Sequence, residues 1–134
     1  MNFGYLYGEQ SETYSFYRTP KIFYTDSRFR KLSRDARTLY GILLDRVSLS
    51  AKNGWLDEQG RVYIICTIQS AMEALGICDR TATKLFNELE EFGLIERKRR
   101  GQGKPIIIYV KNFMDMQGVR FQNRELFESR GEEC

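Results

Sequence analysis

The stretch "TIQSAMEALGICDRTATKLFNELEEFG" (67–93) restricts this chain's fold more than any other. Ile68, Ala71, Met72 and Leu75 recur at three- and four-residue steps, and so do Ala82, Leu85, Phe86 and Leu89. Each set makes one apolar face of a helix. Gly76 and Gly93 stand just past the two stripes, where glycine ends a helix by entering the left-handed region without penalty. Thr67 is expected to cap the first of these helices. The second runs roughly from Arg80 to Phe92, with either Cys78 or Asp79 at its cap. Two amphipathic helices separated by so tight a turn must cross and pack on each other, with Ile77 plugging the gap. That is a helix-turn-helix.

The flanks extend the pattern. Upstream, "LSRDARTLYGILLDRVSLS" carries Ala36, Leu39, Tyr40, Leu43, Leu44 and Val47 on one helical face. Ser33 is its expected cap, with Asp35 in the first turn where negative charge is favoured. Between that helix and Thr67, Asn53-Gly54 and Asp57 to Gly60 are turn chemistry. Trp55-Leu56 and Val62 to Ile65 read as a short β-hairpin. Downstream, "LIERKRRGQGKPIIIYV" gives two strands joined by a basic, glycine-containing tip. The order helix, hairpin, helix, turn, helix, hairpin predicts an α+β winged helix-turn-helix with an additional β-hairpin between its first and second helices. The winged domain spans 16–113. Residues 1–15 form an arm that is flexible or contacts a partner, and "SFYRTPKIFY" is limited by Pro20 to an edge strand or extended segment. Residues 114–134 are a polar segment or linker that ends without a closing signal, as expected of a fragment.

The basic run Arg97 to Arg100 has several candidate meanings. A phosphate-binding P-loop requires G-x-x-x-x-G-K-[ST] ahead of a helix. Here Gly103-Lys104 is followed by Pro105 and a strand, so the hydroxyl and the helix are both missing. A nuclear address fits by composition alone, and a solvated turn fits any charged tip. A wing fits the flanking strands. Its cations would hold DNA phosphates, which sets register and affinity and carries little base information. The backbone-contacting candidates are Thr81, Lys98, Arg99, Arg100, Gln102 and Lys104. Strand parity does not decide which of Arg97 to Arg100 face outward, and Arg100, Gln102 and Lys104 at the tip are the firmest choices.

On the last helix, the face opposite the apolar stripe carries Arg80, Lys84 and Asn87, with Thr83 at its flank, and ends in Glu91. A recognition helix enters the major groove with its N-terminal part, where arginine or lysine pairs with guanine and asparagine with adenine. Arg80, Thr83, Lys84 and Asn87 are the candidate base readers. Glu88, Glu90 and Glu91 crowd the other end and are expected to face away from the duplex, because they would repel phosphate. A mixed polar face is also what any solvated amphipathic helix shows. Winged helices serve as protein-docking modules too, and as transcriptional regulators.

Composition removes other classes. Among 134 residues there is no histidine, so the commonest general base and metal ligand is absent. Cys66, Cys78 and Cys134 lack C-x-x-C spacing and are odd in number, which argues against a zinc site or a disulfide framework. Cys66 lies within "VYIICTI" and reads as a small buried hydrophobe. Asp57-Glu58 sits in a turn, where carboxylates do local capping. No catalytic residue, cofactor or metal is expected. No run approaches the ~20 apolar residues of a membrane span, and the N-terminus has no signal-peptide pattern. A reducing bacterial cytoplasm is the expected setting. The formal charge of +3 permits an anionic partner without requiring one.

A family resemblance covers roughly residues 14 to 113. It is carried by Pro20-Lys21, Leu32-Ser33, Ala36, Leu39-Tyr40, Asp45-Arg46, Leu49-Ser50, Asn53-Gly54-Trp55, Asp57-Glu58, Gly60 and Val62-Tyr63-Ile64. In these residues the chain resembles the N-terminal domain of the replication initiator A proteins (the RepA_N family) of low-GC Gram-positive plasmids. The run from Leu49 to Ile64 has no counterpart in a generic helix-turn-helix. The resemblance implies a winged-helix homodimer that binds repeated sites, or iterons, in double-stranded DNA of the plasmid origin, with higher-order bridging open. It also implies contacts with host replication proteins through a C-terminal domain absent from this sequence. Asp45-Arg46 and Trp55 then either pin the hairpin to the first helix or, with the aromatic arm, pair subunits.

Overall fold

In the computed structural model, residues 2–8 and 15–115 are described. The chain forms four α-helices and a small antiparallel sheet among these residues: α1 (Ile22–Thr25), α2 (Arg34–Lys52), α3 (Ile68–Leu75), α4 (Asp79–Phe92), β1 (Ile95–Lys98) and β2 (Ile107–Val110). Short 3-10 turns follow α1 at Ser27–Phe29 and β2 at Phe113–Asp115.

The three long helices begin and end as their local chemistry dictates. Ser33 Oγ accepts from the Ala36 N–H at 3.2 Å, and Thr67 Oγ1 accepts from the Ser70 N–H at 3.0 Å. Asp35 lies in the first turn of α2 and Lys52 in its last, each complementing the helix dipole. Gly76 terminates α3 at φ 66° and Gly93 terminates α4 at φ 98°. A different glycine, Gly41, lies mid-helix in α2 for reasons of space. A Cβ there would sit 2.7 Å from the Arg18 carbonyl oxygen, so only a bare helix surface lets residues 18 and 19 pass this close.

One core joins these elements. Leu39, Tyr40 and Leu43 of α2 meet Leu85, Phe86 and Leu89 of α4, with Ile64, Ile95 and Ile108 closing the sheet side. Tyr40 is fully buried, and its hydroxyl donates to the Lys111 carbonyl at 2.6 Å, tying the exit of β2 back to α2. Burial pushes the Tyr40 phenol well above its ordinary pKa, so it stays a donor.

The segment 15–24 departs from the extended arm expected of it only in its last residues. Pro20 starts a helix: its carbonyl accepts from the Phe23 N–H at 3.1 Å, and α1 follows at once. Proline's fixed φ suits a helical first turn. The adjacent Ile22 and Phe23 are both buried, and the Phe23 ring lies 4.9 Å from Phe29 and 5.1 Å from Tyr40. Asp26 then caps the 3-10 turn through the Arg28 N–H and pairs with its guanidinium at 2.7 Å.

The hairpin expected between α2 and α3 is reduced to isolated bridges. Leu56 pairs with Val62 around an Asp57–Gly60 turn. Ile64 and Ile108 exchange both backbone bonds, at 2.9 and 2.8 Å, which seats residue 64 along the free edge of β2. Arg46 Nη1 donates to the Ile65 carbonyl at 3.0 Å and so pins this connection to α2.

Asp57 organises the turn. Partial burial works to raise its pKa, but the Arg61 N–H and guanidinium, the Tyr109 hydroxyl and the Gln59 N–H outweigh that and pull it down to about 2. A carboxylate whose folded pKa lies below its unfolded one stabilises above the unfolded value and loses that contribution as pH falls. In an acid titration, Asp57→Asn should therefore be less stable than the wild type above pH ~4. The difference should shrink as pH drops and vanish below about 2. A gap that persists below that value would show that the carboxylate charge is not what stabilises the turn.

Candidate nucleic-acid interface

Helix α4 starts at Asp79, with Cys78 in the cap position. The Cys78 side chain makes no backbone capping bond; its Sγ lies 3.3 Å from Thr81 Oγ1. Asp79 is not the cap either. As the first helical residue it accepts from Thr83 Oγ1 at 3.3 Å. The Thr81 hydroxyl holds the exposed Cys78 thiol below its ordinary pKa, whereas burial pushes the Cys66 thiol up. Cys134 lies outside the described residues.

Because α4 buries Ala82, Leu85, Phe86 and Leu89, its opposite face must turn outward. Arg80, Thr83, Lys84 and Asn87 line one shallow groove there, joined by Lys31 and Ser33 from the approach to α2. Arg80, Lys84 and Asn87 are exposed and Thr83 is half-buried. All four base-reading candidates are therefore brought together. Lys31 escaped the sequence reading: it belongs to a basic run, "RFRKLS", whose place beside α4 depends on how α2 packs. Thr81 is half-buried, with its hydroxyl turned toward Cys78.

The acidic end of α4 is largely committed to the fold. Glu88 reaches α2, where its carboxylate accepts from the Ser33 N–H and, at 2.8 Å, from the Ser33 hydroxyl. It supplies negative charge at the N-terminus of α2. Glu90 accepts from the Arg97 N–H at 3.1 Å and from Arg97 Nε at 2.8 Å. Those donors hold its carboxyl below the ordinary carboxylate range. Glu91 is exposed and borders the groove. The expectation that all three acids simply point away from the surface is replaced by two internal attachments.

The strand register settles the parity of the basic run. Ile95 and Arg97 lie opposite Val110 and Ile108, while Glu96 and Lys98 lie opposite Tyr109 and Ile107. Arg97 turns inward onto α4. Lys98, Arg99, Arg100, Gln102 and Lys104 are exposed. The tip turns through Gly101 and Gly103, at φ 116° and 80°. Arg100 lies over the Tyr63 ring, 5.9 Å from its centroid, and shares a cleft with Lys98, Asp57 and Glu58.

Beyond this surface, Trp55 stacks on Tyr63 at 6.0 Å yet stays 42% exposed, next to Leu56 at 49%. No helix among the described residues is long and apolar enough to cross a membrane.

Comparison with known proteins bears on the whole arrangement. The family model described as "Replication initiator protein A (RepA) N-terminus" matches residues 15–123. A 41 kDa protein of Lactobacillus helveticus is 29% identical over 86 residues, 64% of this chain and 24% of that one. The chain thus spans about a quarter of the length of that curated relative. Among solved structures, the N-terminal domain of a DNA-binding protein superposes with TM-score 0.73 at 32% identity, covering 92% of this chain and 95% of that one. The protein of a Rep–DNA complex gives 0.72 at 33%, with 91% and 94% covered. An MDR initiator gives 0.69 at 30%, with 91% and 97% covered.

Proposed function

The chain belongs to the family of replication initiator protein A N-termini, and from that membership we propose that it binds repeated sites in the double-stranded DNA of a plasmid origin to start replication. The observation that carries this reading is the groove on α4. Arg80, Thr83, Lys84 and Asn87 converge there, and β1, from which the exposed basic loop continues, packs on the same helix. In this reading the domain is a winged helix. Helix α4 enters the major groove, and Lys98, Arg99, Arg100, Gln102 and Lys104 hold backbone phosphate or the minor groove, with Thr81 at the first turn on a further phosphate.

Two copies would place their recognition helices about one turn of DNA apart, ~34 Å. Leu49, Trp55 and Leu56, exposed on and just after the end of α2, and the exposed aromatics Phe3, Tyr5 and Tyr7 of the arm are the apolar side chains this reading assigns to that pairing. Contacts with host replication proteins belong to a further C-terminal domain. The work is binding and not catalysis, and its setting is the bacterial cytoplasm.

Titration against duplex DNA at several salt concentrations tests this. Log K should fall linearly with log salt, at about −0.9 per phosphate neutralised. No binding, or a flat salt response, would favour a winged helix that docks protein. Fragments selected from a random duplex pool should carry a tandem repeat, whereas a lone palindrome would mark a transcriptional regulator.

A further inference from the structure

Asn87 and Arg97 are ten residues apart and on different elements, yet they form one unit. Arg97 Nη2 donates to Asn87 Oδ1 at 2.7 Å and pairs with Glu90 Oε1 at 2.7 Å. Its Nε and backbone N–H complete a second, two-pronged attachment to the same carboxylate. The guanidinium is thus spanned between two residues of α4 from the first strand of the basic hairpin. With several charge-assisted bonds at this length, it is held more firmly than a lone surface pair.

That attachment dictates which way the Asn87 amide points. A guanidinium has only donors, so the amide must present its oxygen to Arg97. What remains for the groove is the Asn87 NH2 group. Asparagine reads adenine by using both ends, with the oxygen accepting from N6 and the nitrogen donating to N7. Here a cationic donor already takes one of that oxygen's two lone pairs and sets its positive charge beside the other. An adenine amino group brought to the same atom would face a like-signed neighbour.

We propose that Arg97 is a positioning residue that turns the Asn87 NH2 group to the groove, so the base beneath Asn87 is one whose edge offers an acceptor with no donor beside it on the same base, guanine or thymine, in preference to adenine, whose N7 acceptor is flanked by the N6 donor. The inference rests on the reading of α4 as the recognition helix. It replaces the asparagine–adenine pairing that the sequence alone suggests, and it gives Arg97 a role apart from the phosphate-holding cations beside it.

The test uses the whole chain and a set of duplexes that vary one base pair at a time. The position read by Asn87 is the one where Asn87→Ala erases discrimination. At that position the wild type should favour guanine or thymine over adenine by about tenfold or more. Arg97→Met frees the amide to rotate, so the adenine penalty should shrink to within about threefold, while the salt slope stays as in the wild type. The unchanged slope separates this role from a phosphate contact, and the altered base preference separates it from a purely structural one.

Should Arg97→Met fail to fold by circular dichroism, Arg97→Lys is the second variant. Its ammonium can still pair with Glu90 but cannot fork to Asn87 as well, so it should broaden base preference in the same direction. Wild-type preference for adenine at the Asn87 position overturns the proposal. So does unchanged base preference in a folded Arg97 variant. If Asn87→Ala alters discrimination nowhere while binding stays specific and salt-dependent, this inference fails and the DNA-binding reading stands. If the wild type shows no salt-dependent binding, both fall.

Discussion

Replacing Lys98, Arg99, Arg100 and Lys104 together by alanine should weaken binding to every duplex by about 10³-fold at 0.15 M salt and flatten the salt slope by about 3.6. The size follows from four phosphate contacts, each contributing about 0.9 to the slope, and it corresponds to about 4 kcal/mol. The fold should survive, because all four side chains are exposed and the hairpin is held by backbone pairing of β1 with β2. Arg100 alone gives up a further contact, over Tyr63, of about 0.5–1 kcal/mol. The loss should be equal on the specific site and on random DNA, since phosphates carry no sequence. Arg80→Ala makes the contrast: it should cost ~1–3 kcal/mol, mainly on the specific site. Fluorescence anisotropy titrations across a salt series measure both. A loss confined to the specific site for the loop variant would move base reading into the loop.

Phe86→Ala should destabilise the domain by about 3–5 kcal/mol, against a total of roughly 5–15 kcal/mol for a domain of this kind. Phe86 is 1% exposed and comes from the inner face of α4. It borders the apolar cleft formed by Ile65, Ile68, Ile106 and Ile108, so its loss opens a cavity where α4, the start of α3 and β2 meet. These neighbours come from α3, β2 and the segments leading into each, and cannot collapse into the space without shifting α4 itself. Equilibrium denaturation in urea reads the change as a lowered midpoint with an unchanged slope. Phe86→Leu keeps most of the volume and should cost much less. If both variants unfold at the wild-type midpoint, α4 is not anchored through this side chain.

The parts that were legible beforehand are those set by nearest neighbours along the chain. Ser33 and Thr67 cap, Gly76 and Gly93 terminate, and the stripes of α2, α3 and α4 face the core, fully buried in α4 and with Leu44, Val47, Ile68, Met72 and Leu75 half-buried in the other two. Each depends on a turn or two of helix, which sequence displays directly. The outward face of α4 follows from the same periodicity, which is why its four polar residues were found together.

What escaped was decided by partners distant in sequence. Helix α1 is four residues long, too short to show a period, and it forms because Ile22 and Phe23 find cover under α2. The inward turn of Arg97 depends on strand parity, and a run of consecutive cations carries no apolar residue to reveal it. Lys31 joins the groove only through the packing of α2 on α4. Glu88 reads as a solvated acid until Ser33 is placed beside it, 55 residues away.

That last contact bears on how such a domain can change its target over evolutionary time. The outer face of α4 is not freely rewritable. Glu88 fastens α2, Glu90 fastens β1, and Asn87 shares an arginine with Glu90. Arg80, Thr83 and Lys84 make no such bond to another element among the described residues, Thr83 bonding only within α4. New specificities should therefore arise first by substitution at these three positions. On the proposed reading of α4, a helix transplanted from a relative would bring its own reading residues safely, provided it also carried the acids at 88 and 90.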